Sequence, residues 1–156
     1  MTEQVSGVRD LSREDLAGCQ EIYRRAALES DPHAYSSKQR EVWASFADEE
    51  GFSDFMMGDG GLVVEKDGAV CGFSSYEENG YIRCLYVSPD FQRSGVGGTL
   101  LSIMLNRLTG SPRIWTIASL FSRGLFARHG FTLTETEHKV HRGVAFERYI
   151  MDFTSR

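Results

Sequence analysis

The sequence of 156 residues contains no run of the eighteen or so consecutive apolar residues that a membrane-crossing helix requires. Its first residues, Met1-Thr2-Glu3-Gln4, lack the basic flank and apolar stretch of a secretory leader, so the expected location is cytoplasmic, with no membrane partner. Paired cysteines are missing as well. Cys19, Cys71 and Cys84 are odd in number and form no C-x-x-C spacing, which speaks against a disulfide framework and a zinc site; they are expected as small buried residues. A basic surplus is also lacking: 17 Lys and Arg stand against 22 Asp and Glu, a net charge of -5. Affinity for nucleic acid comes mostly from cations that neutralise phosphates, so no nucleic-acid partner is expected. With no linker, repeat or low-complexity segment, residues 1–156 are expected as a single domain.

What is present supports a sizeable core, since 41% of the residues are hydrophobic and 12% aromatic. The charge is uneven. Residues 1–80 carry 7 basic and 17 acidic side chains, whereas residues 81–156 carry 10 and 5. The second half could hold an anion and the first could face a cation, although charges scattered over a solvated surface give the same imbalance.

Val8 to Leu11 reads as a short strand, and Ser12-Arg-Glu-Asp15 as a helix start with a hydroxyl cap and a carboxylate three residues on. Leu16, Cys19, Tyr23, Ala26 and Ala27 give that helix one apolar stripe, which Asp31-Pro32 ends. A second helix is expected from Ser36 or Ser37, with Val42, Trp43 and Phe46 on one face, followed by an irregular segment from Asp48 to Gly61 holding one helical turn. Beyond Gly61 the period becomes that of strands. Leu62–Glu65, Ala69–Tyr76 and Tyr81–Val87 are separated by the turn signals Asp67-Gly68 and Glu78-Asn79-Gly80, predicting three antiparallel strands. Val96, Leu100, Met104 and Leu108 mark a four-turn helix, Ile114–Ile117 a buried strand, and Ser119–His129 a last helix. A hairpin around Arg142-Gly143 closes the chain. The order β-α-α-β-β-β-α-β-α-β-β predicts an α/β fold with a mixed, mostly antiparallel sheet flanked by helices.

The chemically informative stretch runs from Leu85 to Leu100, where a strand passes through a tight turn into a helix. The first turn of a helix has backbone N–H groups without internal partners, and the macrodipole adds positive potential there, so such a loop can receive phosphate oxygens. Gly95, Gly97 and Gly98 remove side chains that would block close approach; they would equally let the helix pack near the sheet. Other phosphate motifs fit less well. The G-K-[ST] of a Walker loop is absent, and a dinucleotide fingerprint needs glycine where Leu100 stands.

At these residues the sequence resembles the GNAT superfamily of N-acetyltransferases, specifically its bacterial small-molecule branch. Gln92-Arg-Ser-Gly-Val-Gly97 is similar to that family's [Q/R]-x-x-G-x-[G/A] pyrophosphate loop, Leu85-Tyr-Val-Ser-Pro to the preceding strand, and Leu125-Phe-Ala-Arg-His-Gly-Phe131 to a later helix-to-strand segment. The resemblance implies acetyl-CoA as the acyl donor, held in a V-shaped opening beside the third meander strand, and direct transfer of its acetyl group to a primary amine of a small molecule. No metal or covalent enzyme intermediate is implied. Leu85, Tyr86 and Val87 would pair with the pantetheine arm. Gln92, Arg93, Ser94, Gly95, Val96, Gly97 and Gly98 would take the pyrophosphate.

Two departures from the family pattern bear on mechanism. Phe126 stands where many members carry a Tyr that protonates the leaving sulfur, and Tyr81 where many carry Glu or His. A phenol with an ordinary pKa of about 10 is a poor base at neutral pH, so Tyr81 would act through water if it acts at all. Strand alternation aims Tyr81, Arg83 and Leu85 to one face unless a bulge intervenes, and Arg83 could then orient an anionic part of the acceptor. Ser119 and Ser122 could donate to the sulfur; Ser119 also suits a helix cap. His33, Tyr35 and Trp43 lie where relatives wall the acceptor pocket, and His138 and His141 could rim it. Glu77 and Glu78 could attract a cationic amine, Cys84 is read as a packed thiol, and the terminal hairpin could pair across a homodimer. A catalytically impaired acyl-CoA-binding or sensing module, and a peptide or protein amine acetyltransferase, are the alternative readings.

Overall fold

A computed structural model describes residues 7–154. The chain enters through β1 (Val8–Asp10) and a single turn of 3-10 helix into α1 (Leu16–Leu28). The expected capping carboxylate is there: Asp15 accepts the Ser12 N–H at 2.9 Å. Arg9 grips the same carboxylate at 2.7 and 3.0 Å and reaches Glu65, fastening the helix entrance to the strand beside it. The guanidinium holds the Asp15 carboxyl below its usual value. Cys19, Ile22, Tyr23, Ala26 and Ala27 form the buried stripe of α1, with Leu16 only half-buried at its edge.

The second helix, α2 (Ser37–Ser45), starts on a reciprocal cap in which Ser36 Oγ accepts the Gln39 N–H at 3.0 Å and Gln39 Oε1 accepts the Ser36 N–H at 2.9 Å. The segment expected as irregular holds more order than its glycines and acids suggest. Phe52 and Met56, one helical turn apart, are both fully buried and fold it into α3 (Phe52–Met57).

Strands β2 (Gly60–Lys66), β3 (Ala69–Tyr76) and β4 (Tyr81–Val87) form the expected antiparallel meander. After it come α4 (Val96–Arg107), β5 (Trp115–Ala118), α5 (Arg123–Arg128), and the hairpin of β6 (Phe131–His141) and β7 (Val144–Phe153). The described strands form one seven-stranded sheet in the order β1-β2-β3-β4-β5-β7-β6, antiparallel throughout except where β4 meets β5. The mixed α/β architecture matches the sequence expectation.

The sheet divides the interior into two cores. On one face α4 buries Val96, Leu100, Leu101 and Met104 against Leu62, Ile82 and Leu85. On the other, α1 and α3 bury Cys19, Tyr23, Phe52 and Met56 against Val63, Phe73 and Cys84. All three cysteines are free and buried, as expected of small apolar residues.

Candidate active site

The site begins where the sheet comes apart. Strands β4 and β5 are paired over only two positions, Tyr81 with Trp115 and Ile82 with Thr116, and Thr116 Oγ1 donates to the Ile82 carbonyl at 3.0 Å at the apex. Past that point β4 runs on to Val87 with no strand paired to it on this side among the described residues. Ser88 N–H donates to the Cys71 carbonyl at 2.8 Å, and the β3–β4 register from Gly72 to Ser75 is regular. Inward and outward pairs alternate in an antiparallel ladder, so the main-chain N–H and C=O of Leu85 and Val87 face the gap, while those of Tyr86 bond back to β3. Of the three residues expected to offer backbone groups, two therefore do. Gln92 already uses one of these groups, donating its side-chain amide to the Val87 carbonyl at 3.0 Å.

A bulge bends β4 beside the gap. Tyr76 is opposite Ile82 and Ser75 is opposite Cys84, which leaves Arg83 as an extra residue. The alternation that would aim Tyr81, Arg83 and Leu85 to one face is thereby broken. Leu85 joins Ile82 in the α4 core, and Cys84 and Tyr86 turn to the α1 side.

At the far end of β4 lies the glycine-rich loop. Arg93 and Gly95 adopt left-handed backbone conformations, with φ of 62° and 87°, and turn the chain sharply into α4. The first helical N–H with an internal acceptor is that of Thr99, which donates to Gly95 O at 3.0 Å. Those of Val96, Gly97 and Gly98 have none within the helix. Gln92, Arg93, Ser94 and Gly95 are exposed around them, with Ser94 donating to the Phe91 carbonyl.

Beside the gap, on the α1 face, opens a cavity of about 360 Å³. Tyr81 and Arg83 to Tyr86 of β4 supply part of its wall, and Tyr23, Trp43, Phe46 and Phe55 make another part aromatic. Tyr23 packs against Tyr86 with ring centroids 4.7 Å apart and against Phe55 at 6.1 Å. Ser119, Ser122 and Phe126 close the side towards α5, and Lys139, His141, Glu147 and Arg148 come from the terminal hairpin.

The expected site residues have separate fates. Trp43, Tyr35, Tyr81, Arg83, Ser119, Ser122 and Phe126 all line the cavity. His33 does not; it is exposed, in a turn where its N–H bonds to Asp31 at 2.9 Å. Arg83 is committed to protein partners, at 2.5 Å from Glu77 and 3.0–3.1 Å from the Asp54 and Phe55 carbonyls, so it pins α3 to β4. Tyr81 packs on Trp115 at 5.2 Å, and burial pushes its phenol up from the ordinary value, making it a still weaker base. The Cys84 thiol is pushed up to about 11 by burial and lies 3.2 Å from the Ser75 hydroxyl, which keeps it a neutral packed group at physiological pH.

Ser119 and Ser122 cap one another: each hydroxyl oxygen accepts the other's N–H at 3.0 Å, and Ser119 Oγ donates to Ser122 Oγ at 3.1 Å. They form the turn ahead of α5, which is why the regular helix starts at Arg123 rather than at Ser119. Phe126 is buried edge-on against Phe131 at 5.1 Å. Of the two histidines considered for the rim, His141 lines the cavity with Nε2 3.0 Å from Glu49, while His138 is exposed beside Glu147. Sequence reasoning missed Tyr23, Phe46, Phe55, Lys139, Glu147 and Arg148. In sequence Tyr23 belongs only to a buried stripe, and the hairpin residues are brought to the cavity by a strand distant in sequence.

This geometry coincides with a family signature: residues 31–153 match the model of the acetyltransferase (GNAT) domain. The chain belongs to the GNAT acetyltransferase family. It is, with that membership, an N-acetyltransferase. The chain is 26% identical to the uncharacterized N-acetyltransferase YafP of Escherichia coli (strain K12) over 132 residues, 85% of each protein. Among solved structures it superposes on a GCN5-related N-acetyltransferase (aminotransferase, class II) from Rhodopseudomonas palustris with a TM-score of 0.85 and 25% identity, over 95% of this chain and 94% of the other. The PaiA N-acetyltransferase of Thermoplasma acidophilum, solved in complex with coenzyme A, shares the fold at a TM-score of 0.69 and 20% identity, over 95% and 98% of the chains. Among the described residues no helix is long and apolar enough to cross a membrane, and no group of three or more His, Cys, Asp or Glu is placed to hold a metal ion.

Proposed function

We propose that this GNAT enzyme transfers the acetyl group of acetyl-CoA directly to the primary amine of a small molecule. The observation that carries the reading is continuity. Unpaired N–H groups at the entrance of α4 lead into a gap edged by the backbone groups of Leu85 and Val87 that face away from β3, and the gap opens on the aromatic cavity. The loop from Gln92 to Gly98 would take the pyrophosphate, the edge of β4 the pantetheine arm, and the cavity the acceptor. The proposal takes the whole chain as one domain, at work in the cytoplasm without metal, nucleic-acid or membrane partners. The outermost strand β6 is the edge through which two copies would pair.

The chemistry needs three events. The amine must lose a proton, its lone pair must attack the thioester carbon, and the C–S bond must break with its electron pair leaving on sulfur. Tyr81 is too weak a base for the first. His141, hydrogen-bonded to Glu49 on the cavity wall, is the proposed sink for that proton, reached through water. The wall also selects the acceptor. Its aromatic part, from Tyr23, Trp43, Phe46 and Phe55, suits a compact amine with an apolar body.

Thiol release from acetyl-CoA, measured with a panel of arylalkyl amines, apolar amino acids, polyamines and peptides with free amino termini, tests this. Turnover is expected with the first two groups. Acetylation confined to peptides would move the reading to a peptide or protein acetyltransferase. Thermal stabilisation by acetyl-CoA without thiol release from any amine would make the protein a binding module.

A further inference from the structure

A GNAT enzyme with Phe126 has no hydroxyl at that point of α5, yet a phenol reaches the same wall from another element. Tyr35 stands in the connection between α1 and α2, in a turn closed by its own N–H on Asp31 O at 3.0 Å. Its side chain is 5% exposed and packs on Trp43 with centroids 5.0 Å apart. The phenol oxygen accepts the Leu120 N–H at 2.9 Å, at the start of the turn that carries Ser119 and Ser122. That bond fills the oxygen from the protein side. The Ser119 hydroxyl also interacts with the phenol, and Tyr35 lines the same cavity as Ser119, Ser122 and Phe126.

A phenol whose oxygen already receives a backbone N–H can give up its proton more readily, because that donor stabilises the phenolate left behind. We infer that Tyr35 is the proton donor to the departing sulfur, doing from the α1–α2 connection what Phe126 cannot do from α5. This rests on the acetyl-CoA reading above. When the amine nitrogen bonds to the thioester carbon and the C–S bond breaks, the electron pair left on sulfur takes the Tyr35 proton. The phenolate that remains is held by the Leu120 N–H and regains a proton through water from the one the amine has lost. Burial raises the phenol from its ordinary value, while the Ser119 hydroxyl and the Leu120 and Phe121 N–H groups act in the opposite sense, so the proton stays on oxygen until sulfur carries charge. The competing hydroxyls are weaker candidates: Ser119 spends its proton on Ser122 Oγ, and an alcohol is a much weaker acid than a phenol.

The test has a kinetic and a spectroscopic arm. Tyr35→Phe is expected to lower kcat about a hundredfold, at the low end for general acid catalysis because a thiolate is already a fair leaving group, with KM for acetyl-CoA within about twofold of wild type. Coenzyme A bound to the protein reports the same contact without turnover, through the ultraviolet absorbance of its thiolate. In wild type the bound thiol should titrate below the thiol of free coenzyme A, and in Tyr35→Phe that depression should be lost. Phe126→Tyr in the Tyr35→Phe background should recover part of kcat. The inference is overturned if Tyr35→Phe keeps its kcat, or if kcat falls while the bound thiol titrates as in wild type. It is overturned as well if Ser122→Ala, and not Tyr35→Phe, moves that titration. Absence of thiol release by the wild-type enzyme with every amine would instead count against the acetyl-transfer reading.

Discussion

Gly97→Glu is expected to weaken coenzyme A binding by at least a hundredfold while the protein stays folded. A Cβ at this position would lie 3.1 Å from Leu125 Cδ2 and 3.5 Å from Val87 Cγ2, so any side chain here grows into the space between the entrance of α4, the end of β4 and α5. The contact with Leu125 involves a flexible side-chain end that can give by a few tenths of an ångström. Gly97→Ala should therefore fold and bind within a few fold of wild type. Glutamate adds both length and a negative charge beside the N–H groups proposed to hold the pyrophosphate, and Gly97→Gln separates the two. If charge dominates, the glutamine variant binds more tightly than the glutamate variant, and added salt narrows the difference. Titration calorimetry with coenzyme A, together with a circular dichroism spectrum of each variant, reads this directly. Equal affinity of the glutamate variant and wild type would remove the loop from the binding site.

The second large effect is on the fold that makes the gap. Gly80 enters β4 with φ of 109°, and a Cβ there would lie 1.7 Å from the Arg113 carbonyl oxygen and 2.9 Å from its carbon. Both are backbone atoms and neither can swing away. Gly80 O also accepts the Trp115 N–H at 3.1 Å, next to the two residue pairs that join β4 to β5. Gly80→Ala must push the two strands apart at the apex of the split or rebuild the turn. A cost of about 3 kcal/mol or more is expected, which for a chain of this size lowers the melting temperature by roughly 10 °C. Acetyl-transfer activity should fall with it even at temperatures where the variant is folded, because the gap is set by this junction. A variant melting within about 2 °C of wild type would show that the junction tolerates displacement.

These two glycines also show how far the sequence could be read. The turn around Glu78-Asn79-Gly80 and the loop from Gln92 to Gly98 were legible because each signal lies within a few consecutive residues and follows from local backbone physics. The three strand runs of the meander, the stripe of α1 and the start of α2 at Ser36 or Ser37 were legible for the same reason. Three features were not. The helix α3 is legible only as a single turn within an irregular segment, because two buried residues, Phe52 and Met56, hold it through tertiary contacts that outweigh a weak propensity. The bulge at Arg83 leaves no local mark; it appears only when β4 is set against β3. The cavity wall is the third. The resemblance places Tyr35 on the wall of the acceptor pocket, but nothing near it in sequence announces that its oxygen meets the Leu120 N–H, 85 positions on. His33, two residues earlier and apparently similar in promise, faces solvent.

The central claim is that the entrance of α4 and the split between β4 and β5 together hold the acyl donor. A crystal structure of the protein with coenzyme A tests it most directly. The expected result is pyrophosphate oxygens within hydrogen-bond distance of the Val96, Gly97 and Gly98 N–H groups, with the pantetheine arm along Leu85 and Val87 and the sulfur beside Tyr35. Ligand density elsewhere on the protein, with that helix entrance bare, would contradict it.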